Sequence, residues 1–312
     1  MGLNVECRSV DDVVSNWPVA YAEVPGVCIK LSDHLVKTAE LINILFKNKL
    51  LFLDKLYENM REYFTSISEI AYTAALLHDL GKASVTYLEK FRREMRSKVS
   101  FSLHEYAVSV ILLNAAYRVT EEEDSDWLRK RNTLSLIAKI IARHHTAQKN
   151  RHPYEISSRK IDINVLKGLC REDSKIHDLL IELKNKCIGP SCKEVIDSVK
   201  DELLKILSDK QIENYASAHL RDICLFNLTG ISDKQVFDIY KIVSAITGFL
   251  IIADNLVASY CEKRVSDDES TPVYVEYWVK ELINKLKNNV LSSNSELSEC
   301  FKGIKSDSLV SQ

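Results

Sequence analysis

The sequence predicts an all-helical protein, and three observations lead to this fold class. Glycine and proline are scarce, with 8 and 5 occurrences in 312 residues, which argues against a turn-rich β fold. Apolar residues recur at helical spacing in successive segments, whereas the sequence has no strong strand pattern and no internal repeat. With 46% hydrophobic and 28% charged residues, the chain has an ordinary globular balance and can bury a core.

The N-terminal third is predicted to contain one irregular segment and three helices. Residues 1–30 are expected to be irregular, since prolines and a glycine interrupt them. Ser32 or Asp33 is the expected N-cap of the first helix, the second covers 57–67, and the third ends near Gly81. The apolar stripes are Leu35, Ala39, Ile42 and Phe46 in the first helix, and Ile70, Ala74 and Leu77 in the third.

The middle of the chain is predicted to form two helices that carry histidines. Ser102 and Glu105 have the spacing of a capping box, which places His104 in the first turn of a helix. The next helix leads to His144 and His145, and its apolar stripe is Leu134, Ile137, Ala138 and Ile141. Neighbouring helical residues point about 100° apart. Both rings can therefore face one site only from the end of this helix or the turn after it.

The C-terminal half is predicted to continue as helices. Amphipathic helices without evident chemistry occupy about 160–232, and a long helix at 234–263 carries Asp254. The predicted division is one domain, residues 1–265, in which the helices at 160–232 are an insertion. Residues 266–312 are predicted to form a C-terminal helix and a flexible polar tail.

Charge and cysteine content limit the function classes. A net charge of −2 excludes a protein that is basic as a whole. Two basic clusters suit a polyanionic substrate, although a solvated face explains each cluster equally well. Their members are Lys90, Arg92, Arg93, Arg96 and Lys98, and then Arg143, Lys149, Arg151, Arg159 and Lys160. Eight scattered cysteines and no signal peptide indicate a reduced, cytoplasmic compartment.

Two further segments have simple interpretations. Cys187 and Cys192 are compatible with a disulfide or half a metal site. No second cysteine pair completes a zinc motif, so a loop with two thiols is favoured. The longest apolar stretch, residues 242–253, is too short to span a bilayer and predicts a buried helix with no membrane association.

The strongest candidate site is the pair His78 and Asp79. An apolar run leads into the pair, which places it at the end of a buried helix, and imidazole and carboxylate are suitable ligands for a divalent metal. Gly81 lets the chain turn, and Lys82 adds a positive charge. The further candidate ligands are His34, His104, His144, His145 and Asp254.

Several carboxylates compete for the position of the last ligand. Asp254 is preferred because it follows a buried apolar segment, where an unpaired charge is costly unless it binds a metal. The rival carboxylates are Asp173, Asp178, Asp197, Asp222 and Asp238. The remaining histidines, His152, His177 and His219, are interpreted as structural or surface residues.

In this order and context, these residues resemble the HD superfamily of metal-dependent phosphohydrolases. The pattern is similar to the HD nuclease of type I CRISPR interference in three stretches: Ser-Asp-His34, His78-Asp-Leu-Gly-Lys-Ala followed by Tyr87-Leu-Glu-Lys-Phe91, and Ile140-Ile-Ala-Arg-His144-His145. In that family the nuclease is often fused to a DExH helicase, but 312 residues leave no room for one and contain no phosphate loop. The resemblance therefore implies a stand-alone nuclease subunit that works with a separate DExH helicase and an RNA-guided surveillance complex.

The resemblance also implies roles for the site residues. Asp79 would bridge two metals, and Lys82 would stabilise charge on the phosphoryl oxygens. One metal site would be completed by His34, His78 and Asp254, and the other by His104, His144 and His145. Histidine-rich ligands suit Mn, Fe, Co, Ni or Zn better than Mg, which prefers oxygen.

The expected activity is two-metal hydrolysis of single-stranded nucleic acid in antiviral defence, with DNA favoured and RNA the other option. Two alternatives remain open. The first is an HD nucleotide phosphohydrolase that acts on dNTPs or cyclic nucleotides, and the second is a non-catalytic helical subunit of a CRISPR complex.

Overall fold

The computed structural model describes residues 4–94, 97–120, 126–145, 162–208, 225 and 228–261. Helices predominate in these ranges, which confirms the predicted fold class. The helices are α1 (Val10–Ser15), α2 (Leu31–Leu56), α3 (Ile67–Leu77), α4 (Val85–Glu94), α5 (His104–Arg118), α6 (Trp127–Ile141), α7 (Ile163–Leu169), α8 (Ile176–Asn185), α9 (Pro190–Ser208) and α10 (Asp233–Leu256). Shorter helical turns occupy Glu58–Met60, Leu80–Ala83, Glu172–Ser174 and Val257–Cys261.

A small antiparallel sheet precedes the helices, so the prediction of an irregular segment at residues 1–30 is wrong. The strands β1 (Asn4–Cys7), β2 (Val19–Ala22) and β3 (Gly26–Lys30) are arranged in the order β1-β3-β2. A disulfide joins Cys7 of β1 to Cys28 of β3. Strands of four or five residues offer too few positions for a clear period-2 pattern, which explains why the sequence did not reveal them.

The first long helix, α2, begins earlier than predicted. It starts at Leu31, directly after β3, and its N-cap is Lys30, which makes no side-chain capping bond. The expected N-caps, Ser32 and Asp33, instead lie inside the first turn. The chain therefore passes from sheet to helix without a loop, which fixes the start of α2 relative to the sheet.

The connection from α2 to α3 also differs from the prediction of a helix at 57–67. This stretch contains only one turn of 3-10 helix before α3 begins at Ile67. The buried carboxylate of Asp54, near the end of α2, accepts hydrogen bonds from the backbone N–H of Ile67 at 2.6 Å and of Ser68 at 3.2 Å. Ser66 is the N-cap of α3 and accepts from the backbone N–H of Glu69 at 3.2 Å, while Asp54 adds a second cap from the preceding helix that leaves no local signal.

Helix α5 begins at His104 as expected, but not through the predicted capping box. Its N-cap is Leu103, which has a φ of 62° and makes no side-chain capping bond. Ser102 instead contributes its carbonyl, which accepts a hydrogen bond from the Tyr87 hydroxyl at 2.7 Å. The turn before His104 is therefore held by the hydrogen bond from Tyr87 of α4, and not by a capping box between the side chains of Ser102 and Glu105.

The core forms where α2, α3, α5 and α6 pack together, and α10 packs against α2 and α6. The rings of Phe46 and Phe249 stack between α2 and α10, with 4.3 Å between their centroids. Among the described residues, Asp233–Ser259 is long and apolar enough to cross a membrane, with 39% of its most apolar window buried in the protein. One such helix is not strong support for a membrane span, because core helices of soluble proteins meet the same criteria.

The junction of α8 and α9 also differs from the prediction. Cys187 and Cys192 form a disulfide, with 5.6 Å between their Cα atoms, instead of two free thiols. Residues 163–208 of the predicted insertion are helical, as α7, α8 and α9. The predicted C-terminal helix and tail at 266–312 lie outside the described residues. So do Arg96, Lys149, Arg151, His152, Arg159, Lys160, His219 and Asp222.

Candidate metal centre

Two helices deliver the first part of the site. His34 lies in the first turn of α2 and is buried, and its carbonyl accepts a hydrogen bond from Thr38 Oγ1 at 2.9 Å. His78 is the C-cap of α3 and Asp79 follows it, so the pair lies at the end of a buried helix, as the apolar run indicated. A Cβ atom on Gly81 would lie 2.1 Å from the backbone oxygen of His104. Only glycine allows this close approach between the turn after α3 and the start of α5.

Three more elements complete the arrangement. His104 is the first residue of α5, and His144 and His145 lie in the turn after α6, whose C-cap is Ala142. Asp254 lies in the last turn of α10. The histidine pair thus leaves the end of a helix, which is the position that the spacing of two adjacent rings requires.

All seven candidate ligands converge in two groups that share Asp79. The ligand atoms within each group lie within 4.8 Å of one another. One group contains His34, His78, Asp79 and Asp254, and the other contains Asp79, His104, His144 and His145.

The two oxygens of Asp79 face different groups. Oδ1 lies 2.7 Å from His104 Nε2 and 3.4 Å from His144 Nε2. Oδ2 lies 3.3 Å from His34 Nε2 and 3.5 Å from His78 Nε2. The carboxylate therefore stands between the two sets of imidazoles, with one oxygen directed at each.

Asp254 completes the first group. Its Oδ1 lies 3.2 Å from His34 Nε2 and 3.7 Å from His78 Nε2. Its side chain is 18% exposed, whereas those of His34, His78 and Asp79 are at most 2% exposed. In the second group, His145 is the half-buried member, and its Nε2 lies 3.2 Å from His104 Nε2. The cluster is thus most accessible at Asp254 and His145.

Backbone carbonyls set the orientation of three imidazole rings. The Nδ1 atoms of His78, His104 and His144 lie 2.8, 2.8 and 2.6 Å from the carbonyls of Ala75, Phe101 and Ile141, each three residues earlier. A carbonyl only accepts, so Nδ1 carries the hydrogen and the Nε2 lone pair remains for a ligand bond. The Nε2 atom of His144 is buried and makes no hydrogen bond. Such an orphaned acceptor fits a metal ion.

The carboxylates of the cluster are held in their ionised form. Burial raises the pKa of Asp79, but Lys82, His78 and His104 outweigh this effect and keep the pKa well below its usual range. Burial likewise raises the pKa of Asp254, and the neighbouring imidazoles of His34 and His78 more than offset this effect.

The imidazoles respond differently according to their neighbours. Burial lowers the pKa of His78, and burial together with His144 and His104 places the pKa of His145 well below its usual value. Burial also acts to lower the pKa of His144, but the neighbouring carboxylate of Asp79 outweighs this and raises the pKa. Metal binding needs ionised carboxylates and neutral imidazoles, the form that the lowered pKa values of His78 and His145 favour. The buried cluster could therefore hold a divalent metal.

Lys82 lies at the edge of the same cluster. Its Nζ is 2.6 Å from Asp79 Oδ2, on the side of the first group, and the residue is only 7% exposed. The rival carboxylates that the structure describes lie elsewhere: Asp173 pairs with Arg171, Asp197 with Lys184 and Asp238 with Lys241, and Asp178 is exposed. His177 is half-buried on α8, away from the cluster.

Sequence reasoning missed Glu105, which is fully buried behind the second group. Its Oε2 lies 3.6 Å from His104 Nδ1, and its charge contributes to the raised pKa of His144. The only signal in the sequence was its position next to His104, which was assigned to a capping box instead.

The HD domain family model matches residues 31–166, a range that contains every candidate residue except Asp254. No curated protein and no solved structure matches the chain. An HD domain implies metal-dependent phosphohydrolase activity, and the buried cluster of five histidines and two aspartates fits the HD superfamily.

Proposed function

We propose that the protein is a nuclease that hydrolyses phosphodiester bonds in single-stranded nucleic acid, with DNA favoured over RNA. The observation that carries the proposal is the shared carboxylate, since Asp79 directs one oxygen at each ligand group. A carboxylate between two such groups suits a pair of divalent ions. In phosphodiester hydrolysis, a two-metal site stabilises both the attacking and the leaving oxygen.

The two ligand groups indicate which residues would hold each ion. The first ion would be held by His34, His78, Asp79 and Asp254, and the second by Asp79, His104, His144 and His145. When bound, such ions would supply a water of lowered pKa and positive charge for the phosphoryl group. Because five of the seven ligands are imidazoles, Mn, Fe, Co, Ni or Zn suits the donor set better than Mg.

The chain supplies three further contributions to the reaction. The carbonyls of Ala75, Phe101 and Ile141 hold their histidines in a fixed orientation, which limits reorganisation during the reaction. Lys82 places a positive charge beside Asp79 Oδ2, where it would stabilise charge on the phosphoryl oxygens. The accessible side of the cluster, at Asp254 and His145, is where a substrate would enter.

Exposed cations on α4 favour a polyanionic substrate. Arg92 and Arg93 are exposed on this helix, whose preceding turn contains Lys82. Such cations attract a phosphate backbone.

From the motif resemblance, we further propose that the protein acts in CRISPR antiviral defence in the cytoplasm, with a separate DExH helicase and an RNA-guided surveillance complex as its partners.

A cleavage assay with the purified chain tests this proposal. The substrates are labelled single-stranded DNA, single-stranded RNA, duplex DNA and a dNTP mixture, each with Mn, Ni, Mg or EDTA. Asp79→Ala is the inactive variant, and Asp173→Ala, which removes an exposed carboxylate paired with Arg171, is the matched control. We expect metal-dependent cutting of single strands by the native chain and the control only.

The alternative outcomes identify other functions. Hydrolysis of dNTPs without cutting of any strand would replace the nuclease with a nucleotide phosphohydrolase. A protein that binds no metal and hydrolyses none of the substrates would instead be a non-catalytic helical subunit. Full cutting by Asp79→Ala would refute the assigned site.

A further inference from the structure

The side chain of Lys82 is held by three groups, one of which belongs to the N-terminal sheet. A lysine ammonium sits on a flexible four-carbon stem, so directing it at one point requires restraint from its surroundings. Lys82 Nζ lies 2.6 Å from Asp79 Oδ2 and donates to the Ala20 carbonyl of β2 at 3.4 Å. It also lies 5.4 Å from the ring centroid of Phe101.

Trp17, just before β2, fixes the backbone around Lys82. Its indole Nε1–H donates to the carbonyl of Ala83 at 3.0 Å, a buried hydrogen bond across 66 positions of the chain. The Trp17 ring is 3% exposed and lies 6.3 Å from that of Phe101, centroid to centroid. Trp17 thus contacts both the turn that carries Lys82 and the ring that lies beneath its ammonium.

The same sheet also holds the segment that contains Phe101. The backbone N–H of Val99 donates to the Ala22 carbonyl at 3.1 Å, and that of Val24 donates to the Ser97 carbonyl at 2.7 Å. The carbonyl of Phe101 in turn orients His104. The sheet therefore connects Lys82 with a ligand of the second group, although residues 4–30 lie outside the range that the HD family model matches.

We infer that Trp17 is a positioning residue for Lys82, so that the N-terminal sheet is part of the active site's support. Trp17 donates a hydrogen bond to the Ala83 carbonyl and packs beside Phe101. The carbonyl of Ala20, in the adjacent strand, accepts a hydrogen bond from the ammonium. Together these contacts keep the charge of Lys82 on the Asp79 side, where a phosphoryl group would bind. The catalytic consequence rests on the proposed function, but the placement of Lys82 does not.

The first test measures the placement of Lys82 without any need for activity. The full chain is treated with an amine-reactive reagent, and the labelling rate of each lysine is followed by mass spectrometry. Trp17→Phe removes the indole donor and retains an aromatic ring. We expect it to raise the labelling rate of Lys82 at least about threefold, the change that loss of one hydrogen bond allows. Lys184, which pairs with Asp197 on the surface, should be unchanged.

Two further variants complete this test. Trp127→Phe makes the same chemical change at a half-buried tryptophan that begins α6, and should leave Lys82 labelling as in the native chain. Phe101→Leu removes the ring near the ammonium and replaces Trp17→Phe if that variant does not fold. Unchanged labelling of Lys82 in the folded Trp17→Phe or Phe101→Leu protein would overturn the inference.

The second test asks whether Trp17 acts through Lys82. With a cleavable substrate, Trp17→Phe should lower kcat by about 2- to 10-fold with little change in KM. In a Lys82→Ala background the same substitution should have no further effect, because the group that it positions is gone. An equal loss in both backgrounds would show that Trp17 acts independently of Lys82. If the native chain cuts no substrate, the proposed function fails, and the labelling rates still decide the inference.

Discussion

Gly81 lies against the start of α5, and the geometry of the cluster depends on the absence of a Cβ atom at this position. In Gly81→Ala, the new Cβ would lie 2.1 Å from the backbone oxygen of His104 and 2.8 Å from its carbonyl carbon. A carbon and an oxygen without strong attraction approach to about 3.3 Å. The two backbones must therefore separate by roughly 1 Å, since neither atom belongs to a flexible side chain.

This separation has two measurable consequences. Forcing extra volume into a packed interior costs about 1–3 kcal/mol, and a backbone contact belongs at the upper end of that range. For a chain of 312 residues, roughly 3 kcal/mol lowers Tm by about 5 °C. The same shift would pull His104 Nε2 away from Asp79 Oδ1, now 2.7 Å apart, so we expect metal affinity at least about tenfold weaker.

The assay combines thermal unfolding by circular dichroism with titration of Mn or Ni into the metal-free protein. Gly248→Ala is the matched control, because a Cβ atom there meets nothing within 4 Å. Gly248 lies inside α10, where alanine is favoured over glycine by up to about 1 kcal/mol, so this variant should be equally or more stable. If Gly81→Ala matched the native protein in both Tm and metal affinity, the steric argument would be refuted.

Three other predictions follow from the described contacts. Asp54→Ala should lower the free energy of unfolding by about 2 kcal/mol in a urea titration, because α3 loses the carboxylate that accepts from Ile67 and Ser68; an unchanged midpoint would contradict this. Burial raises the pKa of Cys170 from 9.0 to about 11, so the folded thiol keeps its proton while the unfolded one loses it. Stability from Cys170 should therefore be present below pH 9.0 and lost as pH rises towards about 11, and Cys170→Ala should show a smaller loss in unfolding titrations across that window. Removal of metal with EDTA should lower Tm, and excess Mn or Ni should restore it. At a free metal concentration 100 times Kd, the expected stabilisation is about 2.7 kcal/mol. A Tm that changes with neither treatment would argue against a metal site.

The sequence predicted the helical fold and the elements with long apolar stripes, because a helix that buries one face repeats its signal over several turns. The stripe at Ile70, Ala74 and Leu77 marks α3 correctly, and the one ending at Ile141 marks α6. The sheet at residues 4–30 and the Asp54 cap gave no comparable signal. Short strands have few repeats, and the cap joins groups 13 positions apart on different helices.

The site illustrates the same limit in its details. Residue types and order indicated seven ligands, and the structure brings these seven side chains together. The orientation of the histidines depends on backbone carbonyls, such as that of Phe101, which no residue type announces. Gly81 was interpreted as a turn residue, whereas its close approach to His104 is a long-range packing requirement that spacing alone does not reveal.

The balance of charge explains why Lys82 and several carboxylates are buried together. Without an ion, Asp79 is stabilised by Lys82 and by the surrounding imidazoles, which lower its pKa against the effect of burial. Among the described residues of the cluster, a phosphodiester would then meet the carboxylates of Asp79 and Asp254, with Glu105 close behind them, and the ammonium of Lys82. Two divalent cations would reverse this balance, since their charge exceeds that of the three carboxylates. A site of this composition should therefore attract a nucleic acid backbone only after it has bound metal, because the same residues that hold the ions otherwise repel phosphate.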